Sequence, residues 1–161
     1  MPAGTQMIAG PLGIREPAAK EWVAPGDVDL VNIVIKNTFC PMAVEDCGKK
    51  GVKYIIIHTA GFRETGEEGA KREQKLLERI RRSGIRMVGP NCLGLMHTAP
   101  DVSLNASFAP DLPPAGSLAL CSQSGALGGA AGGLVAGLLL AVGAGAGNLL
   151  AIGLVALVLS V

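Results

Sequence analysis

The chain has 161 residues, enough for one ordinary domain or for a small domain and part of another. Its net charge of +1 argues against a protein that binds nucleic acid through a strong positive field. The 14 basic and 13 acidic residues all lie between Arg15 and Asp111, so a charged, soluble-type front precedes an uncharged stretch over 112–161.

The cysteines and the N-terminus indicate a cytoplasmic protein. None of the cysteines forms a C-x-x-C pair or has a histidine at ligand spacing, so we expect reduced thiols and no metal site. They are Cys40, Cys47, Cys92 and Cys121. The N-terminus has no basic start followed by an apolar core, so no secretory signal is predicted.

The first third of the chain predicts a strand, a helix and a second strand after an irregular arm. Residues 1–26 are rich in Pro, Gly and Ala without periodicity, which indicates a poorly ordered arm. Residues 28–35 and 52–58 are short, nearly continuous apolar runs, typical of strands covered on both faces. Between them, residues 41–51 begin with a proline and contain glycines that suit the end of a helix.

A long amphipathic helix ending near Gly84 is predicted next. Thr65 followed by Glu68 has the spacing of a capping box, which predicts the start of the helix there. The i,i+4 spacing predicts ion pairs on its wet face. These pairs are Glu67–Lys71, Glu68–Arg72 and Glu78–Arg82.

Two further strands complete an alternating pattern. They are predicted at 85–89 and 117–121, with a Pro-rich polar stretch between them that holds a short extended piece at 94–98. Alternation of strands and helices predicts an α/β fold with a mainly parallel sheet of roughly four to six strands. Ligands in such sheets bind at the carboxyl ends of strands, so the loops after each strand are the candidates for a site.

Each candidate loop has a functional and a structural interpretation. In 58–62, Gly61 allows close backbone approach to a ligand and Thr59 offers a hydroxyl, but the same residues suit an ordinary turn. In 89–94, Cys92 is either a nucleophile or a buried structural cysteine. His58 and His97 are either general bases or phosphoryl acceptors, or hydrogen-bonded structural histidines.

The stretch SQSG at 122–125 places hydroxyls and a glycine where a strand leads into a helix. Free backbone N–H groups and the positive end of the helix dipole suit a phosphate or a carboxylate there. The simpler interpretation is a serine N-cap. A nucleophilic serine is disfavoured, since Ser122 and Ala126 stand where the G-x-S-x-G pattern requires glycines.

Four motifs in one order carry a family resemblance from Gly26 to Gly128: AGF, TGEEG, VGPNCLG and SQSGALG. The chain resembles the NDP-forming acyl-CoA synthetases, which are the ADP-forming acetate–CoA ligases, related to the succinyl-CoA synthetase alpha subunit. The resemblance implies a Rossmann-like CoA-binding domain over 27–115 with flanking helices, after the arm at 1–26. It also implies the start of a flavodoxin-like second domain at 116–161.

The family reaction is acyl-CoA + ADP + phosphate ⇌ acid + CoA + ATP, through a phosphohistidine. The resemblance implies that CoA contacts Ile35, Lys36, Asn37, His58, Thr59, Ala60, Gly61, Phe62, Pro90, Asn91 and Cys92. It implies that the phosphoryl group lies at Ser122, Gln123, Ser124 and Gly125. ADP, ATP and Mg²⁺ would be bound by an ATP-binding domain or a beta-type subunit outside this chain, and no catalytic residue is identified.

Three departures from the family pattern predict that this chain alone is not a catalytically complete enzyme. Residues 1–26 lack the strand and Gly-rich turn that grip CoA, and Lys36 replaces a usual proline. Neither His58 nor His97 lies in the phosphohistidine motif. The alternative function is therefore a non-catalytic CoA- or nucleotide-binding module.

The uncharged segment 129–161 does not continue the resemblance. It is long enough to span a bilayer, which takes about 20 apolar residues, and this keeps a membrane-tethered domain as an alternative. The sheet that precedes it needs cover on both faces, which favours a buried segment. An end without function is the third interpretation.

Overall fold

The computed structural model describes residues 26–109, 112, 115, 118–122 and 152–156. The predicted arm at 1–26 therefore lies outside the described residues, apart from Gly26, and so does most of the apolar segment after Ser122. The chain divides into two compact units, and the boundary along the chain falls between Met87 and Val88. The domain boundary expected near residue 115 stays a prediction.

The sheet of the first unit is parallel, as predicted. Its strands β1 (Leu30–Ile33), β2 (Tyr54–Ile57) and β3 (Arg86–Val88) lie in the order β1-β2-β3. β1 and β2 run parallel, with Leu30 opposite Tyr54 and Ile33 opposite Ile57. Three consecutive isoleucines of β2 are fully buried, which explains why the strand is an unbroken apolar run rather than an alternating one.

Two helices cover this sheet, α1 (Cys40–Lys50) and α2 (Glu67–Ser83), each preceded by a single 3-10 turn. Both end at a glycine in the left-handed conformation, Gly51 and Gly84. Val44 of α1 and Leu76 of α2 are fully buried in the same cluster as Ile55 and Ile57. The core of the first unit therefore lies between the two helices and one face of the sheet.

The predicted start of α2 is wrong in detail. Its N-cap is Gly66, with no side-chain cap, and the Thr65 hydroxyl instead donates to the Phe62 carbonyl at 2.8 Å. The reason is that Gly66 turns the chain at φ 94° and ψ −160°, which separates Thr65 from the first helical turn.

The wet face of α2 also differs from the prediction. Glu68 pairs at 2.7 Å with Lys71, three residues further along the helix, and not with the expected Arg72, four residues further. None of the three predicted i,i+4 pairs occurs among the ion pairs of residues 26–109. The Arg72 guanidinium instead donates to the Gly61 carbonyl in the loop after β2, so a tertiary hydrogen bond replaces the expected ion pair within the helix.

The second unit holds a mixed sheet rather than a continuation of the parallel one. Its strands β4 (Gly94–His97), β5 (Leu104–Ser107), β6 (Leu118–Cys121) and β7 (Ile152–Ala156) lie in the order β5-β4-β7-β6. β4 is antiparallel to β5 and to β7, whereas β6 and β7 are parallel. The polar stretch after β3 therefore contains a hairpin, and the predicted extended piece at 94–98 is its first strand.

One part of the apolar segment belongs to this sheet. The backbone of β7 pairs with β4 on one side and with β6 on the other. In the part of the chain that the structure describes, no helix combines the length and the apolar character needed to cross a bilayer. Residues 123–151 and 157–161 lie outside the described residues.

Candidate functional site

The loops that follow β1 and β2 are joined by a threonine hydroxyl. The Thr59 Oγ1 donates to the Ile35 carbonyl at 2.6 Å and accepts the Ile35 N–H at 3.2 Å. Both loops leave the carboxyl ends of adjacent parallel strands, which is where ligands bind in sheets of this kind. The first unit therefore brings together two of the candidate loops, 35–37 and 58–62.

Asn37 makes a second link between the same loops. Its side-chain amide donates to the carbonyl of Ala60 at 3.3 Å and to that of Gly61 at 3.2 Å. Gly61 has φ +97°, and a Cβ built on it would lie 1.8 Å from the Asn37 Nδ2. The position therefore needs glycine for its backbone conformation and for the close approach of Asn37.

Two residues absent from the predicted site complete the loop. The Glu64 carboxylate accepts the N–H of Gly61 at 2.5 Å and that of Phe62 at 3.1 Å. The Arg72 guanidinium donates to the Gly61 carbonyl. Burial raises the pKa of Glu64, but backbone hydrogen bonds, that of Gly61 first, together with the charge of Arg72 outweigh it, so the pKa lies below the ordinary glutamate value.

Sequence reasoning assigned no role to Glu64 and paired Arg72 with Glu68. The available signal was an acidic residue three positions after a loop glycine, a spacing that allows a carboxylate to accept backbone N–H groups of a tight turn. Solvated side chains of a helix face carry the same residue types, so the spacing alone did not separate the two roles.

Large apolar side chains are exposed where the chain leaves β1 and enters α1. Ile35 is 38% exposed, Phe39 52% and Met42 59%, next to Val34 at 61%. Lys36 lies among them and is exposed, while its carbonyl accepts the N–H of Phe39 at 2.9 Å. A group of exposed apolar side chains beside polar backbone indicates a surface that a ligand or a partner covers.

The two histidines occupy different environments. His58 is buried at the end of β2, with its Nε2 3.2 Å from the Asn32 Oδ1 and its backbone N–H bonded to the Ile33 carbonyl at 3.1 Å. His97 is exposed at the end of β4. The geometry of His58 supports the interpretation as a hydrogen-bonded structural histidine.

The candidates after β3 belong to the second unit and are less accessible. Pro90 and Cys92 are buried, and Asn91 is half-buried with φ 55°. Burial raises the pKa of the Cys92 thiol to about 11, against the smaller lowering effect of backbone hydrogen bonds. The thiol is uncharged near neutral pH, which argues against the interpretation of Cys92 as a nucleophile.

The predicted phosphate site is described only at its first residue. Ser122 is half-buried and directly follows the carboxyl end of β6, whereas Gln123, Ser124 and Gly125 lie outside the described residues. The prediction that this stretch and the loops after β1, β2 and β3 meet at one sheet edge stays a prediction. Among the residues that the structure describes, no three His, Cys, Asp or Glu side chains are grouped to hold a metal ion.

The comparison with family models decides the classification. A model described as the CoA binding domain matches residues 10–98. The chain belongs to the CoA-binding domain family. The matched range includes the loops after β1, β2 and β3, and it ends before Ser122. The resemblance seen in the sequence motifs is thereby confirmed, and so is the Rossmann-like fold of the matched part.

Ligases that form ADP are among the similar proteins. The 4-hydroxybutyrate–CoA ligase [ADP-forming] of Nitrosopumilus maritimus is 48% identical over 103 residues, which are 64% of this chain and 15% of that protein. The alpha subunit of acetate–CoA ligase [ADP-forming] II of Pyrococcus furiosus is 48% identical over 104 residues, or 65% of this chain and 22% of that subunit. The chain thus spans less than a quarter of the length of these curated relatives.

A solved structure supports the same classification. The dinucleotide forming acetyl-coenzyme A synthetase 1 of Ca. Korarchaeum cryptofilum, in complex with phosphate and ADP, superimposes with a TM-score of 0.62 at 37% sequence identity. The match covers 70% of this chain and 23% of that one. The similarity is therefore to one part of a larger enzyme.

Proposed function

We propose that this chain is the CoA-binding portion of an ADP-forming acid–CoA ligase. The loops at 35–37 and 58–62 hold CoA in this proposal, and the ligase interconverts acyl-CoA, ADP and phosphate with acid, CoA and ATP. The observation that carries it is the joining of these loops by Thr59 and Asn37 beside exposed apolar side chains, inside the part of the chain that the family model matches.

The chemistry of this surface suits the mixed character of CoA. The adenine ring and the methyl groups of the pantetheine arm are apolar, and the exposed side chains of Ile35 and Phe39 offer matching surface. The amides of the arm need hydrogen-bond partners, and the loop carbonyls can supply them because each carbonyl oxygen accepts up to two hydrogen bonds. The exposed ammonium of Lys36 suits a CoA phosphate.

The remaining predicted residues complete the proposal. Pro90, Asn91 and Cys92 lie near the thiol end of CoA, and the stretch from Ser122 to Gly125 receives the phosphoryl group. Residues 27–115 form the CoA-binding domain, and 116–161 begin the second domain. An ATP-binding domain or beta-type subunit supplies ADP and Mg²⁺, and the ligase works in the cytoplasm.

Calorimetry with CoA on the full chain tests the binding step. We expect saturable binding of CoA with which acyl-CoA competes. Phe39→Ser should lower the affinity at least about tenfold, because an aromatic ring that becomes covered by the ligand contributes that much to binding. Tyr54→Ser is the matched control, since Tyr54 is 46% exposed and is the first residue of β2, at the strand end away from the loop at 58–62. No binding at millimolar CoA, or equal losses in both variants, contradicts the proposal.

A second experiment distinguishes the ligase from a non-catalytic CoA-binding module. The burial and the hydrogen bond of His58 favour the binding module. The chain is incubated with labelled ATP, alone and with an ATP-binding subunit. Acid-labile label on this chain supports the ligase. Its absence in both cases, with CoA binding retained, supports the binding module.

A further inference from the structure

We infer that Glu64 and Arg72 are positioning residues that fix the peptide groups of Ala60, Gly61 and Phe62 before CoA arrives. The inference rests on the proposed function, because it takes this loop as part of the CoA surface. Neither side chain needs to touch the ligand for this role. They act on the loop through its backbone.

The loop N–H groups are held by Glu64. One carboxylate oxygen, Oε1, accepts both the Gly61 and the Phe62 N–H. Two adjacent N–H groups that point at one oxygen form the kind of concave donor pair that binds anions in other loops. Here the chain supplies the anion itself, so these two donors are already occupied before any phosphate of CoA approaches.

The loop carbonyls are held by Asn37 and Arg72. Gly61 presents its carbonyl to the Arg72 guanidinium and to the Asn37 amide, while Ala60 presents its own to Asn37. The peptide groups on both sides of Gly61 are thus fixed, with φ of this residue at +97°. An unrestrained glycine would adopt this conformation as only one of many. Charged partners make such hydrogen bonds stronger than neutral ones.

The loop is also anchored to α2. The Arg63 N–H donates to the Glu73 Oε2 at 3.1 Å, and the Arg63 guanidinium lies 3.3 Å from the Glu73 Oε1. The side chain of Glu73 is 6% exposed, so this carboxylate is a fixed point in the fold. Arg63, directly before Glu64, is therefore tied to α2, while Glu64 itself holds the N–H groups of Gly61 and Phe62.

A preformed loop binds its ligand without the cost of ordering the backbone. Fixing a backbone residue in one conformation costs entropy, and a loop that is ordered only upon binding subtracts this cost from its affinity. Loss of Glu64 should therefore weaken CoA binding although the contacting atoms stay the same.

The test measures CoA affinity of the full chain for three loop variants. Glu64→Ala should lower it about tenfold or more, because two charge-assisted hydrogen bonds disappear. Glu64→Gln keeps an accepting oxygen, so it should stay within about threefold of the wild type. Arg72→Met should lower affinity about fivefold and decides the matter if Glu64→Ala fails to fold. The controls are Glu68→Ala and Lys75→Met, which change exposed residues of the same helix.

Amide NMR supplies a readout that general destabilisation does not move. The Gly61 and Phe62 amide signals should shift with pH in the wild type as Glu64 is protonated, with a midpoint below the ordinary glutamate pKa. The shift should be absent in Glu64→Gln. Wild-type binding with unchanged affinity in Glu64→Ala and Arg72→Met overturns this inference alone, whereas absence of CoA binding by the wild type overturns the proposed function and the inference together.

Discussion

The two units differ in how far apart along the chain their paired strands lie. In the first, β1 and β2 are consecutive and are joined by one helix, so each forms beside its neighbour in sequence. In the second, β7 at 152–156 pairs with β4 at 94–97 and with β6 at 118–121. Local pattern was therefore sufficient for the first sheet, whereas the second depends on contacts between distant segments.

The candidate residues differ in the same way. Those of the first unit, such as Asn37 and Thr59, make side-chain hydrogen bonds to the backbone of the neighbouring loop and border an exposed apolar surface. Those that follow β3, Pro90 and Cys92, are buried. A rigid, exposed loop pair is suited to receive a ligand, while a buried thiol is suited to packing.

The sharpest test of the rigid loop in the first unit is Gly69→Ala. A Cβ at this position would lie 1.6 Å from the Phe62 carbonyl oxygen, so α2 or the loop must move. Alanine in a helix is ordinarily favoured over glycine by about 1 kcal/mol, yet here we expect a loss of about 3 kcal/mol in the free energy of unfolding.

Urea denaturation measures the Gly69→Ala effect. Gly48→Ala is the control, since its Cβ would meet the Ser83 hydroxyl at 2.8 Å and the Ser83 Cβ at 3.1 Å. The hydroxyl can rotate away, and the Cβ contact is relieved by a shift of a few tenths of an ångström. Its cost should be about 1 kcal/mol or less. A Gly69→Ala chain as stable as the wild type would show that the loop is not packed directly on α2.

Gly61→Ala should have the next largest effect, a decrease of about 2–3 kcal/mol in the free energy of unfolding. The reason is that a Cβ at this positive-φ position would also clash with Asn37. Gly51→Ala has φ +80° without a neighbour within 4 Å, so it isolates the backbone cost of about 1 kcal/mol. Asn37→Ala combined with Gly61→Ala should recover part of the loss. Strict additivity of the two substitutions in denaturation experiments would refute the clash.

Thiol labelling tests how readily the loop after β3, in the second unit, opens to expose Cys92. Cys121 is exposed, whereas Cys92 is 5% exposed with its pKa raised to about 11 by burial. In single-cysteine variants at about pH 8, roughly one Cys92 in a thousand is a thiolate, and we expect it to react at least about 100-fold more slowly than Cys121. Equal rates would mean that the loop after β3 opens readily.

The smallest expected effect concerns the ion pair between α1 and α2. The hydrogen bond from Arg79 to Glu45, at 2.5 Å, lowers the pKa of this carboxyl in the folded chain, and the charge of Arg79 adds to it. The pKa of Glu45 is lower in the folded than in the unfolded chain. The ion pair therefore stabilises the fold at pH values above the unfolded pKa, and this stabilisation is lost as the pH falls through the folded pKa.

Arg79→Met should therefore be less stable than the wild type at neutral pH, and the difference should shrink upon acidification. Denaturation at several pH values measures it. Lys71→Met, which removes a partner of the exposed Glu68, should show no such trend. A difference that grows as pH falls would contradict the assigned pair.

Much of the first unit could be predicted because its signals are local. The apolar run around Ile55–Ile57 marked β2, and Gly84 marked the end of α2. The start of α2 could not be placed from Thr65 and Glu68, since the sequence does not show that Gly66 turns the chain between them. Glu64 was missed for a related reason, because its partners are backbone groups that carry no residue-specific signal.

The amino-acid sequence by itself determined the βαβ rhythm, the glycines that end the helices and the family motifs, since these depend on neighbours a few positions apart. Only the tertiary structure decided that Asn37, Glu64 and Arg72 converge on one glycine, and that residues 152–156 insert between β4 and β6. The physical reason is that backbone hydrogen bonds between distant segments are open to almost any residue, so their partners are selected by packing of the whole unit.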